Sequence, residues 1–461
     1  MANLFLMFYP AFPVSQSEVR ARLVEGPVAT GLVRLTTPMI LGISSNLLAG
    51  LLEAFYLGQV GTLALAAYSF TFPVTGALMS LALGTSIGLS SVLARAVGKG
   101  DQHEIRRLAT DGLLLMALVM VCVSIVGWLT IDALFLALGA DETTLPLVHD
   151  FMSIWYLALL FMAIPQIGAN AMRATGDASI SGSIMVGGAV LQMILGPLLI
   201  FGLLGLPALG LMGAAIAHLI ARVVLFVVTL YILHFREHLL AFESVSTAVV
   251  LKSWRRIMAI SIPATATNLI GPVSTGVVVS LLAGFSQETV AGFGIASRIE
   301  GLFVIPLFAL SASIGPFVGQ NWGREEYGRA NQAMRLSFFY SLVWGMFVAS
   351  LLFLLGDWLA ALFDDNPDVV ATASLYLLIV PVSYGAWGML MMSSAIFNSL
   401  GKPISATVMS VVRMLVLYVP LAFLGRELFG LPGIFAAACA SNLIMGVTGF
   451  VWNRRTFGGA G

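Results

Sequence analysis

Apolar stretches of about 20 residues or slightly more recur along the whole chain, and each is long enough to cross a bilayer as a helix. They lie near 37 to 58, 63 to 93, 108 to 130, 151 to 172, 179 to 203, 211 to 233, 257 to 283, 290 to 317, 336 to 356, 369 to 396, 404 to 424 and 432 to 452. The expected fold class is therefore an all-α polytopic membrane protein with twelve transmembrane helices and the lipid bilayer as its solvent. Composition agrees. With 59% hydrophobic residues, 10% charged residues and a mean hydropathy of +0.99, a water-soluble domain of this size could hardly stay in solution. The 22 basic residues are matched by 22 acidic ones. No basic excess exists to neutralise phosphates, which argues against a nucleic-acid partner.

The loops alternate in basic content. Arg20, Arg22 and Arg34 precede the first stretch, Arg95, Lys99, Arg106 and Arg107 follow the second, and Arg173 follows the fourth. Arg236, Lys252, Arg255 and Arg256, then Arg324, Arg329 and Arg335, then Lys402, then Arg454 and Arg455 continue on the same side. The opposite loops carry Asp141 and Glu142, or Asp364, Asp365 and Asp368, with Arg426 as the one basic exception. The positive-inside rule then puts both termini in the cytoplasm. The first 17 residues, MANLFLMFYPAFPVSQS, lack the basic segment of a signal peptide and hold two prolines; they read as a tail, or as lying ahead of the true start. Cys122 and Cys439 sit in apolar runs and read as packed small hydrophobes, without metal or disulfide spacing.

A repeat underlies the twelve stretches. Pro38 and Pro263 open the first and seventh, Gly98 matches Gly323, and Gly176 matches Gly401, each pair 225 residues apart. Each unit holds six spans, an even number, so the two halves share one orientation and are related by an axis along the membrane normal. The expected organisation is a tail over 1–31, a first lobe over 32–233, a basic amphipathic linker over 234–256 and a second lobe over 257–461. Binding sites in repeat architectures of this kind lie near mid-membrane, which favours a transporter over an enzyme.

Within the first stretch stands Glu53. An ionised carboxylate in hydrocarbon costs several kcal/mol, about 3 on insertion scales, so such a residue usually faces a bundle interior or a wet cavity on an ion pathway. Asn46 lies two helical turns earlier on nearly the same face. At 1.5 Å per residue Glu53 comes roughly 7 Å below the outer end, His218 of the sixth stretch comes roughly 10 Å below it, and Asn46 and Gln192 share a deeper level. The second half holds Arg298 and Glu300 in GIASRIEGLFVIP and Arg413 in VVRMLV. Residues two apart on a helix point about 200° from one another, so Arg298 and Glu300 cannot both face one cavity. Glu300 and Arg413 reach similar depth and are expected to pair, as a structural ion pair or as substrate contacts. Arg222, near mid-membrane, has no evident partner in sequence. Pro73, Pro165, Pro197, Pro306 and Pro381 lie within stretches and can bend them.

The chain resembles the multidrug and toxic compound extrusion (MATE) transporters, with the DinF-like branch nearest. The resemblance spans nearly all of it and rests on LLEAFYLGQVG, FTFPV, SSVLARAVGKGD, NAMRATGD, GPLLIFG and IGPFVGQNWG. It implies two six-helix lobes facing each other in a V, alternating access, and export of amphipathic, often cationic small molecules against protons or sodium ions. It places Glu53 at the family's first-span acidic position and Gln192 at a fifth-span amide position, and puts His218 where relatives carry a hydroxyl. Asn46 completes the expected coupling group. Where many relatives have an aspartate before the fifth-span proline, this chain has Gly196. That departure removes a second carboxylate and favours the proton as coupling ion.

No Walker loop, HExxH helix or GxSxG elbow is present. The expectation is a monomeric carrier with no cofactor besides its coupling ion and no enzymatic activity. Two competing readings stand beside it. A lipid or lipid-linked-sugar flippase would need more basic residues in its cavity, and a membrane-embedded enzyme would need a further acid, base or metal ligand near Glu53, where only His218 is at hand.

Overall fold

The structure, a computed structural model, describes residues 21–241 and 246–459; the expected tail ahead of Ala21 lies outside them. Among the described residues the chain forms twelve spans. In chain order these are α1 (Val28–Val60), α2 (Thr62–Lys99), α3 (Gln102–Leu129), α4 (Leu145–Thr175), α5 (Ala178–Ile200), α6 (Gly210–Tyr231) and α7 (Thr247–Ala283). They continue with α8 in two segments (Gln287–Phe303 and Ile305–Gly323), α9 (Tyr327–Ala361), α10 (Pro367–Ser399), α11 (Pro403–Phe429) and α12 (Leu431–Gly458).

Apolar composition alone does not end a helix; polar caps and glycines do. Asp101 and Asp177 accept hydrogen bonds from the backbone N–H groups of Glu104 and Ile180, at 3.0 and 3.3 Å, and so start α3 and α5. Gly176 and Gly401, one repeat apart, end α4 and α10 at φ of 97° and 74°. Each sits in the same wrapped turn, in which Asp177 N–H donates to the Met172 carbonyl at 2.9 Å and Lys402 N–H to that of Phe397 at 2.8 Å. The repeat is thus visible in backbone geometry.

Helices break where proline or strain intervenes. The two segments of α8 meet at 47°, with Pro306 opening the second. In α10 a 3-10 turn, Val380–Ser383, surrounds Pro381, and in α11 residues Val412–Tyr418 widen into a π-helix. Pro73, Pro165 and Pro197 lie inside helices that run on through them.

Two apolar cores divide the molecule, one built mainly from α2 to α6 and one mainly from α8 to α12. The first helix belongs partly to the other half. Leu23, Val28, Leu32 and Leu35 are buried in the second core beside Phe317 and Ile314. Of the segment expected as a cytoplasmic tail, the described residues 21–31 are therefore docked, with a 3-10 turn at Arg22–Val24 and α1 already begun at Val28. Likewise the expected linker ends early, because Thr247 to Arg256 is the start of α7.

The lobes lock at the end that carries the termini. Gln320 of α8 accepts from the Leu23 N–H at 3.0 Å and donates to the Ala174 carbonyl at 2.6 Å. Asn321 donates to the Leu23 carbonyl at 3.0 Å, and Arg329 reaches the Gly26 carbonyl at 2.9 Å. Ser91 and Arg95 of α2 donate to the carbonyls of Asn398 and Ser399, and Arg256 pairs with Glu104 at 2.6 Å. Gly98 packs directly on the Gln320 carbonyl and its repeat mate Gly323 on the Arg95 carbonyl, so the closure follows the pseudo-symmetry. Toward the opposite end a Cβ on Gly76, Gly271, Gly276 or Gly294 would meet open space, and among the described residues the side-chain hydrogen bonds that join the lobes lie at the closed end.

The parallel relation of the halves has a direct check. Cysteines replacing the exposed Lys99 and Lys402, in a background without Cys122 and Cys439, should react with a membrane-impermeant maleimide from the same side. Reaction from opposite sides would overturn the arrangement.

Candidate functional site

Glu53 is only 6% exposed. It stands on the face of α1 that packs against α5 and α6, near the open end of the first lobe. Gln192 of α5 donates through Nε2 to Glu53 Oε2 at 2.8 Å. His218 of α6 brings its Nε2 to 3.0 Å from both carboxylate oxygens. Tyr68 of α2 carries its hydroxyl within electrostatic reach of the same carboxylate.

The three contacts constrain where a proton can be. Gln192 Nε2 lies 3.0 Å from His218 Nε2 as well as from the carboxylate. An imidazole nitrogen holding a proton donates to the carboxylate and then opposes the Gln192 amide; an unprotonated nitrogen accepts from the amide or from a protonated Glu53. The carboxylate and the imidazole thus face each other across one shared proton position, and which of them holds that proton decides which hydrogen bonds α1, α5 and α6 make with one another.

Beside the carboxylate is a cavity of about 10 Å³ lined by Glu53, Tyr56, Gln192, Gly196, Ala214 and Ala217. That is room for about one water-sized sphere. A Cβ on Gly196 would lie 3.9 Å from the Tyr56 ring, an ordinary contact. Position 196 thus has room for a Cβ but supplies no ligand atom to the cavity.

The structure brings Glu53, Gln192 and His218 together and leaves Asn46 out. Asn46 is exposed. Helical spacing puts it on the same face as the buried Met39, Gly42, Glu53 and Leu57, so its exposure comes from what packs against α1 at that level and not from its angle.

The second lobe holds its own polar cluster, and it differs from expectation. Glu300 and Arg413 do not form a contact ion pair. Glu300 Oε2 instead accepts from the hydroxyls of Tyr376 at 2.7 Å and Tyr384 at 2.9 Å. Arg413, on the π-helical part of α11, donates to Asn442 Oδ1 at 2.8 Å and stacks over Trp387 at 5.8 Å. Asn442 passes the chain on to Ser383 Oγ at 2.9 Å. Phenol and amide groups satisfy both charges without the two side chains having to meet. Arg298 is exposed on the opposite face of α8, as the 200° argument requires.

Sequence reasoning passed over Tyr68, Tyr376 and Tyr384. Hydropathy counts a tyrosine as nearly apolar, yet each of these lies at the depth of a carboxylate, and a depth count of hydroxyls would have found them. It also left Arg222 without a role. Arg222 stacks at 5.0 Å over Trp155, and its Nη1 has no hydrogen-bond partner among the described residues.

The chain is similar to known proteins over most of its length. The MatE family model matches residues 38–198 and 263–424, one stretch in each half. The chain is 35% identical over 436 residues to a protein of Shewanella oneidensis named FAD transporter, covering 95% of this chain and 96% of that one. It is 24% identical over 420 residues to the multidrug export protein MepA of Staphylococcus aureus, covering 89% and 90%. Among solved structures it is similar to the crystal structure of the Vibrio cholerae MATE transporter VcmN in the bent form, with a TM-score of 0.88 and 27% identity over 94% of this chain and 97% of that one.

Proposed function

Because the chain belongs to the MatE family of membrane transporters, we propose that it is a cation-coupled exporter of amphipathic compounds that works by alternating access in a bacterial inner membrane. The observation that carries this reading is the buried Glu53, held by Gln192 and His218 in the wall of a lobe that is locked to its partner at one end only. The basic loops support placing the locked end in the cytoplasm. The crevice then faces outward, where Glu53 would take up its ion. Substrate released to the outside and ion bound from the outside would use the same open state.

The proton is the ion that suits the group. A dehydrated hard cation is best satisfied by about six oxygen ligands. Around Glu53 the cavity offers its own two oxygens and the Gln192 amide, and Gly196 adds none. A proton needs one carboxylate and one neighbour able to share it, which Glu53 and His218 provide. Substrate movement in proteoliposomes should accordingly follow a pH gradient without sodium. Movement driven only by a sodium gradient at clamped pH would overturn the proton and leave Glu53, Gln192 and backbone carbonyls as sodium ligands.

One observation favours a second reading of the substrate. The Shewanella relative is named for FAD, an amphipathic aromatic anion, and shares its likeness with nearly the full chain. Parallel assays with a cationic aromatic dye and with FAD separate the two substrate readings.

A further inference from the structure

A second cavity of the first lobe has about 300 Å³ and is lined from α2 by Tyr68, Phe72 and Thr75, from α4 by Phe151 and Trp155, and from α6 by His218 and Arg222. It opens past the exposed Phe72 and Gly76. The Arg222 guanidinium is its one strong charge. No carboxylate touches it among the described residues, because Glu53 is taken by Gln192 and His218, and its buried Nη1 donates to nothing. Among the described residues it stacks on the Trp155 ring and feels the Glu53 charge without touching it. A buried arginine left with a free donor is costly unless something else completes it. The fork of a guanidinium fits the paired oxygens of a phosphate or carboxylate, and four aromatic rings line the remaining wall.

We propose that this cavity is an anion-recognition subsite, in which Arg222 takes the phosphate or carboxylate of an aromatic substrate whose ring system lies against the aromatic wall. The proposal rests on the transporter reading above and narrows its substrate class. Arg222 would repel an amphipathic cation from this cavity. At about 300 Å³ the space is at the small end of ligand sites, so it houses a ring system or a charged head while the rest of a larger molecule extends into the crevice. His218 lines this cavity and also touches Glu53, so the subsite and the proton position share one side chain.

Riboflavin and riboflavin 5′-phosphate differ only by a phosphate and both fluoresce, so their binding to the full chain in phosphatidylcholine nanodiscs can be compared by anisotropy. The phosphate ester should bind at least about tenfold more tightly than riboflavin, as expected for a charge-assisted pair. Arg222→Gln should erase that ratio while riboflavin binding holds, and Arg222→Lys should keep part of it. Equal binding of the two compounds by the unaltered chain would overturn the proposal without reference to any variant, and so would an equal loss of both in Arg222→Gln. Repeating the measurement in phosphatidylglycerol nanodiscs separates a lipid phosphate from a soluble one. Unchanged affinity supports the aromatic anion; loss of binding by the unaltered chain there would mean that a lipid headgroup fills the cavity, and would overturn it. No gradient is present in these assays, so failure of the subsite and failure of ion coupling remain distinct results.

Discussion

Glu53→Gln should leave the chain folded and inserted while reducing gradient-driven export to the level of protein-free vesicles. The substitution keeps the size of the side chain and an oxygen that can accept from Gln192, but it cannot gain or lose a proton. If Glu53 only joined α1 to α5 and α6, the change would cost an interhelical hydrogen bond, about 0.6 kcal/mol on average and below about 2, and transport would persist at a comparable rate. If its charge cycles, no amount of structural mimicry restores the step. The measurement pairs size-exclusion profiles with efflux under an imposed pH gradient. Export retained by Glu53→Gln would return the residue to a structural role.

The second large effect is expected at the lock between the lobes. A Cβ on Gly98 would overlap the Gln320 carbonyl oxygen, and one on Gly323 the Arg95 carbonyl oxygen. Both obstacles are backbone, which cannot rotate away as a flexible side chain would. Overpacking of a well-fitted contact costs about 1–3 kcal/mol, and valine at either site is expected at the upper end of that range. The lobes would then part at this end, shifting the conformational equilibrium by about a hundredfold. Spin labels replacing the exposed Lys99 and Arg324 would report it as a longer distance in Gly98→Val. An unchanged distance distribution would mean that the helices yield locally and that these glycines do not set the closure.

Much of this molecule could be read from its residues, for reasons that differ between parts. The spans were legible because a bilayer imposes a length that an apolar run must meet, and the repeat because Gly98, Gly323, Gly176 and Gly401 do backbone work that other residues perform poorly. The meeting of Glu53 and His218 was legible through depth, since two polar groups at similar levels of neighbouring helices have few other partners, whereas Gln192, counted at a deeper level, was placed with them by the resemblance. Asn46 was not legible, because its angle puts it on the buried face and only the packing at its own level, which spacing alone cannot fix, leaves it exposed. The partners of Glu300 were hidden for another reason. Tyr376 and Tyr384 look apolar to a hydropathy count, while the Arg413 charge drew attention to an attraction that the packing does not use. The start of α1 was missed because Gly31, Arg34 and Thr36 dilute the apolar run just where the helix exchanges lipid for the second lobe.

That exchange bears on how the protein is made. Leu23 is held by Gln320, a partner 297 residues later in the chain, and Leu32 and Leu35 share a core with Ile314 and Phe317. The N-terminal end of α1 therefore completes its packing later than the rest of that helix, which rests on α5. Until α8 is synthesised, that end of α1 has only the turn and start of α5 around Asp177 and Ala178 to rest on, and the insertion machinery or the lipid itself must shelter the remainder. Assembly of the two halves is in this sense a ring closed by its earliest segment, and the order of synthesis leaves the docking of that segment as the step that certifies that both halves are present.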